Sequence, residues 1–303
     1  MTLEQILRGT RTTYFCDSPE LQQTDDATEQ VGRSLRRRAF DVNDADSEFY
    51  IKSWMDTTKR RCTYESQATR MLMKSEGHPN ILLPFEVIDN EQGRHFVYPF
   101  MKGVTLDDYI RLTPPERDFN KILYVLESVA KGLKYVHAQN VVHRDVKPGN
   151  IFLRSDVDRP YGFIPVVFDW DIAGKIGEEV GKGMTMGTPA YMEPLQCEGG
   201  PLTTDFDSYA LGFVVYQMFD GQLPIDENCG TAAELMQKQI HSYRRPLLGD
   251  GILEEVANVV DRMVKRYRSE RYMGLTAMVS AFREAIRVGE VKEKNNYKAG
   301  VGV

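Results

Sequence analysis

The sequence predicts an α+β fold in two unequal parts: a small strand-rich lobe over residues 31–98 and a larger helical lobe over 102–288. Three observations carry that expectation. Up to Tyr98, short aromatic and β-branched runs alternate with turn chemistry. Beyond Pro99, apolar residues recur at three- and four-residue steps over long stretches. The last of those stretches gives way, from about residue 289, to a charged, Gly-containing tail that reads as loose.

Taken in order, residues 1–30 are polar, with acids concentrated from Gln22 to Gln30, and read as a weakly structured extension. Ala39-Phe40-Asp41-Val42 reads as a strand, and Asn43 to Ser47 as a turn. Phe49 to Trp54 is a second strand, because its aromatic and β-branched residues suit a pleated surface. Tyr64 to Lys74 suits a helix. Ile81–Ile88 and His95–Tyr98 read as two further strands around the turn Asn90-Glu91-Gln92-Gly93. In the second part, Ile122, Leu123, Leu126, Val129, Ala130, Leu133 and Val136 give a helix with one apolar face. Tyr209–Phe219 is apolar nearly all round and predicts a buried helix. Glu254–Tyr267 and Thr276–Val288 are amphipathic.

Bulk properties narrow the function. Of the 303 residues 42% are hydrophobic, enough for a packed core, and 27% are charged. The net charge of −6 argues against a nucleic-acid or membrane-surface protein. Cys16, Cys62, Cys197 and Cys229 lack metal spacing and read as reduced packing thiols in a cytoplasmic protein. The N-terminus Met1-Thr2-Leu3-Glu4-Gln5 shows no secretory pattern, and no apolar run approaches the ~20 residues of a membrane span.

The chemistry is concentrated in Val142-His143-Arg144-Asp145-Val146-Lys147-Pro148-Gly149-Asn150-Ile151. An Asp able to accept a hydroxyl proton, a Lys able to neutralise a phosphoryl group and an Asn whose amide oxygen can hold Mg2+ lie within eight residues. Such a site works mainly by position and charge. The segment resembles the catalytic loop of the protein kinase family, H-R-D-x-K-P-x-N. Val166-Val167-Phe168-Asp169-Trp170-Asp171 resembles the family's D-F-G motif, with Trp for Phe and Asp for Gly. Met186-Gly187-Thr188-Pro189-Ala190-Tyr191-Met192-Glu193-Pro194 resembles the end of an activation segment, and Asp205-Phe206-Asp207-Ser208-Tyr209-Ala210-Leu211-Gly212 the start of the buried helix that braces the loop.

The resemblance spans about 31–288 and implies a bilobal protein-kinase-like fold. It implies Asp145, Lys147 and Thr188 as catalytic residues, with Thr188 bonded to Asp145 and Lys147 in the manner of serine/threonine kinases. Asn150 and Asp169 would hold Mg2+. Lys52, in Phe49-Tyr50-Ile51-Lys52, would hold the α- and β-phosphates of ATP. Its acidic partner is Glu65 if the helix is longer by one turn, whereas a gap-free count reaches Thr69. The phosphate loop takes the register Gly32 to Ala39, in which only the first glycine survives and arginines occupy the rest. Those arginines read either as a solvated strand edge or as side-chain phosphate ligands. Pro99 would offer a hinge carbonyl and Met101 a hinge N–H. Tyr50, Phe152, Phe168 and the gatekeeper Tyr98 would line the adenine pocket, with Tyr50 either turned away or crowding the base.

Two losses are expected to be relieved locally. Leu195 replaces the family's final Glu, leaving Arg271 unpaired or paired with Glu193. Asp171 removes backbone freedom from a hinge and reads as a solvated or backbone-bonded acid, or as a further metal ligand. Thr185 reads either as an unmodified loop residue or as a phosphorylation site whose phosphate would dock on Arg144. The function implied is a serine/threonine protein kinase using ATP and Mg2+ on a protein substrate. The alternatives are a pseudokinase scaffold, suggested by the altered upper lobe, and a small-molecule phosphotransferase, suggested by Asp169-Trp170-Asp171.

Overall fold

The computed structural model describes residues 6–16, 34–44, 46–56, 60–180, 186–225, 231–241, 247 and 252–300. Its upper lobe is a six-stranded antiparallel sheet. The strands are β1 (Ile6–Arg8), β2 (Thr13–Cys16), β3 (Ser34–Asp41), β4 (Glu48–Trp54), β5 (Glu86–Asn90) and β6 (Gly93–Pro99), in the order β1-β2-β3-β4-β6-β5. The helix α1 (Arg60–Leu72) follows β4.

Alternation along the strands gives this sheet two apolar faces. Leu7, Tyr14, Cys16, Ala39, Ile51, Ile88 and Val97 pack together on one. Trp54, Phe96 and Tyr98 pack on the other, closed by Cys62 from α1. The segment read as a weakly structured extension therefore contributes two strands. Thr10 N–H and Arg11 N–H at the β1–β2 turn donate to Glu86 Oε1 at 2.5 and 3.2 Å, and Tyr14 OH donates to Glu86 Oε2 at 3.0 Å. The acidic run Gln22–Gln30 lies outside the described residues.

Of residues 81–85, expected to open a strand, Phe85 donates its N–H to Val97 O at 2.6 Å just ahead of β5, and 81–84 lie outside the sheet. Ile81 bridges Val167 alone, and Leu82 N–H donates to Val167 O in the lower lobe at 2.9 Å. Backbone groups already spent across the lobes cannot also extend a ladder.

After Pro99 the chain crosses into the lower lobe through β7 (Gly103–Thr105), α2 (Leu106–Leu112) and α3 (Phe119–Ala138). Asp118 caps α3, its side chain accepting from Lys121 N–H at 3.0 Å. There β8 (Val141–Val142) pairs with β11 (Gly174–Lys175), and β7, β9 (Ile151–Ser155) and β10 (Phe163–Val167) form a three-stranded antiparallel sheet with β9 in the middle. A further pair, β12 (Glu179–Val180) with β13 (Gly200–Pro201), flanks α4 (Pro194–Glu198). The lobe is completed by α5 (Asp205–Asp220), α6 (Ala232–His241), α7 (Glu254–Met263) and α8 (Gly274–Gly300).

The helix α5 is buried on nearly every side, as its apolar run Tyr209–Tyr216 demands. A Cβ on Gly212 would lie 2.9 Å from that of Met263, so the glycine sets how closely α7 approaches. The C-terminal segment expected to be loose from residue 289 continues α8 to Gly300. Among the described residues no helix is long and apolar enough to cross a membrane.

Candidate active site

The lower wall of the cleft is the loop from β8 to β9. Asp207, wholly buried at the start of α5, accepts from His143 N–H at 3.0 Å and Arg144 N–H at 2.9 Å, and bonds His137 Nε2 at 2.7 Å. Burial pushes its carboxyl up, but these donors outweigh it and hold the group below the usual carboxylate range. The carboxylate so fixed holds Arg144 at φ 71°, a conformation non-glycine residues seldom adopt.

Asp145 is held on all sides. Its Oδ1 accepts from Thr188 N–H at 2.9 Å and Thr188 Oγ1 at 2.7 Å. Its Oδ2 accepts from Asn150 Nδ2 at 2.9 Å and lies 2.9 Å from Lys147 Nζ. Lys147 Nζ also donates to Thr188 Oγ1 at 2.6 Å. The three residues expected to be catalytic thus form one connected cluster. With Nδ2 of Asn150 spent on Asp145, its amide oxygen remains as a ligand atom for a hard cation.

Asp169 stands beside this loop, because Phe168 N–H donates to Asn150 O at 3.1 Å and His143 Nε2 bonds Phe168 O at 2.9 Å. Its φ is 70°. Trp170 is fully buried, against the His143 ring at 4.8 Å and donating to Leu82 O at 2.8 Å. The indole anchors the motif where the Gly of the family pattern is missing.

The upper wall is β3 and β4. Lys52 Nζ lies 2.7 Å from Asp169 Oδ1 and 3.4 Å from Glu65 Oε1, and it is ion-paired with Asp171. Asp171 is therefore buried against Lys52 instead of solvated. Burial raises the Asp169 carboxyl, but Lys52 and Arg36 outweigh it and hold the group far below its ordinary range. Glu65, completely buried, also accepts from Trp54 Nε1 at 2.6 Å and Tyr98 OH at 2.9 Å. The helix α1 starts at Arg60, a turn before Tyr64, and this brings Glu65 rather than Thr69 to Lys52.

One register differs from expectation. Ala39 faces away from the cleft, packed with Tyr14, Ile51 and Val97. Side chains alternate along a strand, so a shift by an odd number of residues changes the face. The cleft-facing positions of β3 are Arg36, opposite Lys52, and Arg38, opposite Tyr50. Gly32 and Thr185 lie outside the described residues.

Between the walls is a cavity of about 410 Å3 lined by Arg36, Tyr50, Lys52, Tyr98, Phe152 and Phe168, with Pro99 and Met101 at the linker. Its size is within the ~300–1,000 Å3 of small-molecule sites. Tyr50 lines this space without closing it. Phe100 N–H is spent on Glu48 O at 3.1 Å, while Pro99 and Met101 line the cavity. The sequence reading missed Trp54 as a partner of Glu65 and the Lys52–Asp171 pair, and it left the arginines of β3 open between a solvated edge and phosphate ligands. Strand register brings Trp54 to Glu65 and Arg36 to the cleft; nothing local signals the Lys52–Asp171 pair.

Comparison with known proteins agrees with this geometry. The protein kinase domain family matches residues 42–282. The chain is 31% identical over 217 residues to serine/threonine-protein kinase Pkn1 of Myxococcus xanthus, covering 70% of this chain and 30% of that protein. It is 25% identical over 237 residues to serine/threonine-protein kinase PrkC of Bacillus subtilis, covering 78% of this chain and 35% of that protein. It therefore spans about a third of the length of these relatives. The chain belongs to the protein kinase family.

Proposed function

We propose that this chain is a serine/threonine protein kinase that transfers the γ-phosphate of ATP to a protein hydroxyl. The observation that carries the reading is the tie of Asp145 to both Lys147 and Thr188. A carboxylate so oriented accepts the proton of an incoming hydroxyl, while Lys147 balances charge on the phosphoryl group. Lys52 and the linker groups would hold and orient the nucleotide, and Glu65 keeps Lys52 in the cleft.

The amide oxygen of Asn150 and the carboxylate of Asp169 are hard donors that suit Mg2+. Held there, the ion would supply positive charge against the phosphates as the γ-phosphate is transferred.

The test is radiolabel transfer from ATP to the chain itself and to basic Ser- and Thr-containing substrates, with Mg2+ and Mn2+. Wild type is expected to label Ser or Thr, and Asp145→Asn to lose about 10²–10⁴-fold in rate. No transfer by wild type under either metal overturns the assignment.

A further inference from the structure

Resting on the kinase reading, we propose that Arg36 is a phosphate-binding residue of the nucleotide site and shares with Lys52 the grip on the triphosphate. Arg36 and Lys52 are directly opposed on β3 and β4, with both side chains lining the cleft. Like charges opposed across a ladder destabilise the sheet. Such a pair is retained where an anion lies between the two groups, and here both reach one carboxylate. Arg36 Nη2 is 3.4 Å from Asp169 Oδ2, and Lys52 Nζ is 2.7 Å from Asp169 Oδ1. A guanidinium at that carboxylate stands beside the position that Mg2+ and the phosphates would take.

The surroundings of Lys52 supply the need. One ammonium faces Glu65, Asp169 and Asp171, and Asp171 is the acid that replaces the glycine of the family pattern. Each carboxylate bonded to Nζ competes with phosphate oxygens for its three protons. Arg36 adds a second positive charge, whose planar fork of donors fits phosphate. The neighbouring Arg38 is committed elsewhere, ion-paired with Glu48 at 2.7 Å and stacked over Phe40 and Phe100. Two departures from the family pattern, arginine in the strand and aspartate after the tryptophan, thus meet at one lysine.

The test is equilibrium binding of ATP, ADP and adenosine to wild type, Arg36→Met and Arg36→Lys, each with Mg2+. Unfolding midpoints without nucleotide serve as the folding control. Arg36→Met is expected to weaken ATP about tenfold to a hundredfold, and adenosine less than twofold. Arg36→Lys is expected to restore part of the ATP affinity. Asp171→Gly in the Arg36→Met background is expected to recover ATP binding by releasing Lys52.

Equal loss for adenosine and ATP would make Arg36 a base contact and overturn the proposal. So would unchanged ATP affinity with a lowered midpoint, which would make Arg36 only a counterion for Asp169. Wild type that binds ATP through Arg36 yet transfers no phosphate would sink the kinase reading alone. Wild type with no ATP affinity would sink both.

Discussion

Glu193 and Arg271 illustrate how one residue repairs the loss of another. Their side chains meet at 2.9 Å in the lower lobe, with Glu193 1% and Arg271 7% exposed. Arg271 also donates to Lys265 O and Arg266 O and lies over the Tyr209 ring. The acid two places before Leu195 serves where the family pattern has its final Glu. Removing one member of a buried pair strands the other charge, so Glu193→Ala is expected to cost about 3–5 kcal/mol. Urea unfolding checks this, and a loss under ~1 kcal/mol would show that the backbone acceptors suffice. The sequence held both candidates for this site, an unpaired Arg271 and a Glu193 partner. Only the turn of chain between Pro189 and Pro194 decides between them. Asp171 was harder to read, since its partner Lys52 is 119 residues away and belongs to the other lobe.

At the scale of elements, the β1–β2 hairpin is tied to the sheet by one carboxylate. Glu86 is 5% exposed and accepts from Thr10, Arg11 and Tyr14. Burial pushes its carboxyl up, but these donors prevail and hold it below its ordinary value. Glu86→Ala leaves those donors without their acceptor and is expected to lower stability by about 1–3 kcal/mol. Amide hydrogen exchange over residues 6–16 should rise with it, and unchanged protection there would refute the tether. Three- and four-residue strands such as these present only one or two inward side chains. Their alternation cannot stand out in sequence, whereas the 20-residue α3 declares itself through five turns of spacing. The early start of α1 was legible only as a condition, that Glu65 reach Lys52 if the helix gained a turn. Tertiary packing of Cys62 onto Trp54 and Phe96 supplies the gain.

For the whole molecule, pH acts through a buried imidazole. His95 on β6 is 2% exposed and bonds Ser53 Oγ at 2.8 Å and Asn90 Oδ1 at 3.1 Å. Burial, helped by Arg37, pushes it down to about 4 from its ordinary 6.5. The folded state therefore binds this proton less readily than the unfolded chain. The resulting stability is complete above about 6.5 and is lost as pH falls toward 4. Thermal midpoints are expected to fall over that window by the equivalent of roughly 1–3 kcal/mol and to fall less in His95→Gln; parallel curves would rule out this histidine. The bilobal plan and the lower-lobe cluster were readable because their motifs are contiguous and ordered along the chain. The upper-lobe register was not, because the glycines that mark it in the family pattern are replaced by arginines. Finally, the family match opens at residue 42, whereas β1, β2 and β3 all precede it. A boundary drawn by homology thus cuts through the sheet instead of around it, discarding three of six strands and leaving the backbone of β4 as a raw edge. The folding unit and the recognisable unit of this protein are different lengths of chain.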